Sequence, residues 1–231
     1  MPDLAPEVPQ PATAPAGALA QSVAAMVADP DYPCLGARSV YRRDRATVRV
    51  YDRLAGPDTG GRLLADLRSF AAALDVGAGF ASFVAIFRGP RTVDEQQFEE
   101  LLWGQLRALH EQDETPWNAG VAADPGDEHF AFSVGGTAYF VVGLHPAASR
   151  DARRAATPTL VFNVHEQFEA LRRSGGYPRM RDRIRERDAR LQGTINPMVA
   201  DHGAASEARQ YSGRAVGPSW RPPFDPAKEK A

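Results

Sequence analysis

Hydrophobic positions along the chain follow two spacings. Leu63, Leu64, Leu67, Phe70, Ala71 and Leu74 recur every three or four residues, which places them on one face of a helix. Phe98, Leu101, Leu102, Leu106 and Leu109 repeat the pattern over a longer span ending near Asp113, and Thr92-Val93-Asp94-Glu95 opens that span with an acidic turn suited to a helix N-terminus. Phe80 to Phe87 is instead a short unbroken apolar run between Gly79 and Gly89-Pro90, the signature of a buried strand. Phe130 to Val134 and Ala138 to Leu144 flank Gly135-Gly136-Thr137, whose glycines supply the positive dihedrals of a tight hairpin. Ala46 to Tyr51 alternates like a strand open to solvent on one face, and Thr159 to Val164 adds another.

Further helical patterns run from Ala18 to Ala28, where Asp29-Pro30-Asp31 stops them, from Gln167 to Arg173, and from Met180 to Leu191. Tyr32-Pro33-Cys34-Leu35-Gly36 reads as a loop. The tally of about five strands and about five helices, with one hairpin and otherwise mixed order, predicts an α+β single domain on a mixed, mostly antiparallel sheet. Residues 18–216 carry this pattern, flanked by a Pro/Ala-rich tail at 1–17 and a Pro-rich tail at 217–231.

Composition narrows the function classes. With 231 residues, 43% hydrophobic and 24% charged, the chain can bury a sizeable core. A formal charge of −2 lacks the basic footprint of a nucleic-acid binder. No apolar stretch approaches the ~20 residues of a membrane-spanning helix. A lone cysteine and no secretory leader make the cytoplasm the expected compartment. Basic residues are almost all arginine, with lysine only at Lys228 and Lys230, which suits fixed recognition of carboxylates or phosphates. No glycine loop stands between a strand and a helix in the manner of a dinucleotide site, and common zinc and serine-hydrolase motifs are missing from the sequence.

A few residues could carry chemistry. Cys34 follows a proline, with Arg38, Arg42 and Arg43 close by to stabilise a thiolate or pair with cofactor carboxylates. His145 ends the most apolar strand and is followed by Arg150, Arg153 and Arg154; an imidazole there can ligate a metal or move a proton. His165 and Glu169 share a helical face, which alone does not make a metal site. Ser206 to Arg214 is too dense in directional hydrogen-bonding groups for a linker and is expected to fold back over the domain.

Together with Tyr32 to Arg38, Phe80 to Phe87, Phe98 to Leu109, Gly143 to Arg150, Leu160 to Phe168 and Leu191 to Pro197, that last segment resembles the YqcI/YcgG family, and within it the branch of guanitoxin-biosynthesis heme-dependent N-hydroxylases. The resemblance covers about residues 30 to 224. It implies a heme b oxygenase that N-hydroxylates a small guanidine, amine or amino-imidazole compound, using O2 and electrons from a separate reductase. Heme iron needs an axial ligand, and a thiolate favours O–O cleavage. Under this reading Cys34 is the first candidate ligand and His145 the rival. Arg38, Arg42, Arg150 and Arg153 are candidates for pairing with the propionates. Phe83, Phe87, Phe140 and Phe162 could line a slot for the macrocycle, although core packing explains them more simply. Glu207, Glu166, Tyr211 and Trp103 are candidate partners for a cationic substrate. Two other readings stay open on sequence: a heme sensor or carrier without turnover, and a binding domain without a cofactor.

Overall fold

In the computed structural model, which describes residues 13–198 and 205–226, five strands form one open sheet in the order β1-β2-β5-β4-β3. The strands are β1 (Ala46–Arg53), β2 (Ser82–Gly89), β3 (Phe132–Val134), β4 (Thr137–Leu144) and β5 (Thr159–Val164). β1 and β2 run parallel, joined across α3 (Thr59–Ala72), and the other neighbours pair antiparallel. The remaining helices are α1 (Ala16–Ala28), α2 (Leu35–Arg42), α4 (Glu95–Gln112), α5 (His165–Arg173), α6 (Tyr177–Gln192) and α7 (Ala208–Tyr211). The expected α+β domain with its mixed sheet is present, with seven α-helices among the described residues instead of about five.

Local chemistry explains the boundaries. Asp94 caps α4, its carboxylate accepting from the Gln97 N–H at 2.7 Å while the Gln97 side chain accepts from the Val93 N–H at 2.9 Å. Gly135 and Gly136 both hold positive φ, 60° and 71°, so β3 and β4 close in a two-residue turn. α6 carries Pro178 in its first turn and ends on Gly193 in the left-handed conformation.

Two of the differences from the sequence reading bear on function. The stretch read as a loop around Cys34 continues directly into α2, because Cys34 itself acts as the N-cap: its sulfur accepts from the Ala37 N–H at 3.4 Å. The C-terminal segment read as a tail is packed at least to Phe224, which is 4% exposed and lies 5.9 Å from Trp103 between ring centroids. Its prolines do not keep it off the domain, because Trp220 packs on Trp103 and Phe224 sits in the cluster of Trp103, Trp117 and Phe132. At the other end α1 begins at Ala16, two residues inside the expected tail; residues 1–12 of that tail, and Lys228, Lys230 and His202, lie outside the described residues.

The sheet has two unlike faces. Phe83, Ala85, Phe87, Tyr139, Val141, Leu160 and Phe162 point to the side covered by α3 and α4 and form the main core with Phe98, Leu102 and Leu106. α4 comes very close there: a Cβ on Gly143 would lie 2.5 Å from the Phe98 ring. On the other side, α1 packs over β1 and α5 over β4 and β5, and between these helices the sheet is left uncovered.

Candidate active site

That uncovered part of the sheet is the floor of a cavity of about 530 Å³, within the range of roughly 300–1,000 Å³ typical of small-molecule and cofactor sites. Strand alternation selects the floor: Ser82 and Val84 from β2, Val161 and Asn163 from β5, Phe140 and Val142 from β4. Ser82 Oγ donates to Asn163 Oδ1 at 2.6 Å, satisfying a polar pair in an otherwise apolar floor. Helices α1, α2, α5 and α6 supply the walls, and Glu207 and Gln210 close one side.

Cys34 stands on the α2 wall, half-buried, with its sulfur held at the helix N-terminus. Burial pushes the thiol up, and the N–H groups of Ala37 and Gly36, then the Arg153 charge, act in the opposite direction. Arg153 also lines the cavity. Its guanidinium donates to three carbonyls, those of Gly143 at 3.0 Å, Gln210 at 3.0 Å and Tyr211 at 3.3 Å, so it ties the β4 end to the end of α7. Burial opposes its charge, and Tyr32, Cys34 and Asp188 favour it.

A second group converges from α5 and α7. His165, Glu169 and Arg172 recur at i, i+4 and i+7, so α5 presents all three to the cavity. Arg172 pairs with Glu169 through two N–H groups and lies over the Tyr177 ring at 5.1 Å. Glu207 faces the same space. Burial pushes its carboxyl up to about 8, against the Tyr211 hydrogen bond and the Arg172 charge, which lower it. The Tyr211 hydroxyl reaches Glu207 Oε1 at 2.6 Å and also sits 3.1 Å from both the Phe132 nitrogen and the Tyr139 carbonyl.

The other sequence candidates are placed elsewhere. His145 lies on the opposite face of the sheet from Cys34: Phe140, Val142 and Leu144 point into the cavity, so Gly143 and His145 point away. Its ring is 0% exposed, stacks on Phe98 at 4.2 Å and has no hydrogen-bond partner among the described residues, and burial lowers it to about 4. Trp103 is core, between Tyr211 and Phe224. Glu166 is exposed outside the cavity. Arg150 is a clasp, donating to Asp188 at 2.6 Å and to the Thr194 carbonyl at 2.7 Å, which fastens the end of α6 to the loop after β4. Arg38 and Arg42 line a separate hollow. Of the four phenylalanines only Phe140 meets the cavity; Phe83, Phe87 and Phe162 fill the core on the other face. Ser206 to Arg214 folds back as expected, held by Ser206 Oγ on the Pro125 carbonyl at 2.7 Å and by Ser212 on Glu99 at 2.9 Å. Arg172 and Asn163 were not singled out in the sequence; the i, i+4, i+7 spacing from His165 is the signal that would have found Arg172.

Among the described residues no helix is long and apolar enough to cross a membrane. The chain is 28% identical over 194 residues to the uncharacterized protein YcgG of Bacillus subtilis (strain 168), covering 78% of this chain and 75% of that one. It is 27% identical over 187 residues to DcsA of Streptomyces lavendulae, named as a candidate N(omega)-hydroxy-L-arginine synthase, covering 75% and 69%. The uncharacterized protein YqcI of Bacillus subtilis (strain 168) is 25% identical over 189 residues, covering 78% and 74%. No solved structure gives a significant match. The family match spans residues 23–225, from α1 through the packed C-terminal segment and so over every wall of the cavity, and the chain belongs to the YqcI/YcgG family.

Proposed function

We propose that the cavity would hold heme b through the Cys34 sulfur and that the protein N-hydroxylates a small cationic guanidine, amine or amino-imidazole compound. The observation that carries this reading is that one cavity with an apolar floor brings together the only cysteine of the chain and the Glu207 carboxyl. The residues present fit the group. The flat floor of Val84, Val142 and Val161 suits a macrocycle face, Cys34 is a thiol at a helix N-terminus, and Arg153 and Arg172 line the same space as partners for propionates. The name of the Streptomyces relative supports oxidation at nitrogen.

Thiolate-bound heme, given O2, two electrons and two protons, supplies insertion of one oxygen atom into an N–H bond with the other leaving as water. The chain does the remainder. Ala37 N–H holds the sulfur in place. Tyr211 fixes Glu207 Oε1 and leaves Oε2 for a cationic N–H. Arg153 pins the β4 end to α7 so that Glu207 keeps its position relative to the Cys34 wall.

The test is oxygen consumption by the heme-loaded protein with a chemical or enzymatic electron source and a panel of guanidine, amine and amino-imidazole compounds, with mass spectrometry for a gain of one oxygen atom. Cys34→Ala abolishes product, and Glu207→Gln keeps heme but loses affinity for the cationic compounds. Heme uptake with no compound stimulating oxygen consumption contradicts turnover; no heme uptake contradicts the reading as a whole.

A further inference from the structure

On the outer side of α2, away from the cavity, Arg38, Arg42, Arg43 and Arg187 line one hollow of about 330 Å³ together with Leu35 and Ser39. None of the four guanidiniums has a carboxylate partner among the described residues. Arg38 is occupied by backbone carbonyls, at 2.6 Å from that of Pro30 and 3.1 Å from that of Asp29. Arg187 reaches across from α6 to the carbonyls of Pro30 and Tyr32. Arg42 and Arg43 are exposed and have no partner among the described residues. Arg68 and Arg154, by contrast, pair with Asp113 and Asp151. Four cations in one place, in a chain of net charge −2, repel one another and remain together only at a cost that a bound anionic surface offsets.

The hollow also has a defined relation to the site. Leu35, which lines it, is bonded to Cys34, and Arg38 and Arg187 grip the carbonyls of the Pro30–Tyr32 stretch that leads into the thiol. We propose that this arginine-lined face of α2 is where an acidic one-electron carrier protein docks, delivering electrons from the Cys34 side. The purpose of the docking rests on the heme reading above. In the transfer itself the reduced carrier gives up one electron and is oxidised, and the ferric heme of the loaded protein is reduced; no bond is made or broken. A charged surface of this kind acts through encounter rate and weak affinity, so it is strongest at low salt, where the screening length exceeds about 10 Å.

The probe is an acidic plant-type [2Fe–2S] ferredoxin. Calorimetric titration of the oxidised ferredoxin into the chain without heme, at low and at high salt, compares wild type with the double variant Arg42→Glu/Arg43→Glu. The expected result is binding at low salt that weakens about tenfold or more in the variant, with the difference fading at high salt. With heme-loaded protein the reduced ferredoxin reduces the variant about tenfold or more slowly at low salt, while dithionite reduces both alike. Equal binding by both proteins, or none at low salt, overturns the proposal. So does binding of inorganic phosphate with no ferredoxin binding, which makes the hollow a small-anion site. Because the titration needs no heme, failure to load heme removes the function proposed above while leaving the docking result readable.

Discussion

The Tyr211 hydroxyl lies 2.6 Å from Glu207 Oε1 and 3.1 Å from the Tyr139 carbonyl, so its single proton has two acceptors. With Glu207 ionised, the hydroxyl donates to the carboxylate; with Glu207 protonated, it donates to the carbonyl and accepts from the acid. Both states are hydrogen-bonded, and the carboxyl can change protonation without leaving a buried polar group unmet. Because burial pushes Glu207 up to about 8, it is mostly protonated at neutral pH.

A cation binding beside Glu207 favours the carboxylate, so binding at pH 7 releases close to one proton, and release fades above about pH 9 where the group is already ionised. Calorimetry of a guanidine ligand in buffers of different ionisation enthalpy measures this. Tyr211→Phe removes a hydrogen bond that lowers Glu207, so the release extends to higher pH and affinity falls about tenfold. Proton-neutral binding in the wild type contradicts the role of Glu207.

The same group shapes stability. Its value in the folded state, about 8, lies above the ordinary 4.5, so between those limits the folded chain binds more protons than the unfolded one. Stability from this group is therefore present at low pH and falls as pH rises through the window. Glu207→Gln flattens that part of the profile, and its urea midpoint moves above that of the wild type between pH 5 and pH 9 by comparison at equal conditions.

His145 works in the opposite direction. Burial sets it at about 4 against an ordinary 6.5, so the unfolded chain binds the extra proton and stability is lost as pH falls from 6.5 towards 4. The limiting size is about 3 kcal/mol. His145→Leu, which keeps an apolar side chain against Phe98, removes the acid loss in this window without altering heme uptake. An unchanged acid profile in the variant would mean that the ring finds a partner for its charge.

Gly143 sets how closely α4 approaches β4. A Cβ there would meet the Phe98 ring at 2.5 Å and Leu102 at 2.8 Å, in a core with little room to yield. Gly143→Ala is expected to cost about 1–3 kcal/mol, read as a shift in denaturant midpoint.

Much of this fold is legible in the sequence because it is written in periodicity. The apolar run Phe80 to Phe87, the Gly135-Gly136 turn and the Phe98 to Leu109 stripe each specify an element that the structure contains. α2 was illegible for a physical reason: its cap is a thiol in place of the usual hydroxyl or carboxylate, and Gly36 sits in its first turn. The site was half legible. Cys34 and Glu207 stand out by chemistry, and both line the cavity. His145 stands out by the same rule and does not, because one residue of strand parity sends it to the other face. Arg38 and Arg42 are close to Cys34 in sequence yet face away from the cavity, because Cys34 is the extended N-cap before the helix and α2 turns Ala37, Val40 and Tyr41 to the cavity and Leu35, Arg38, Ser39 and Arg42 to the outer hollow.

The central claim is that Cys34 holds heme iron in the cavity, and the reduced, CO-bound absorption spectrum of the heme-loaded protein tests it most directly. The account predicts a red-shifted band of the thiolate type in the wild type, retained in His145→Leu and lost in Cys34→Ala. A band of the histidine-ligated type that survives in Cys34→Ala would contradict it.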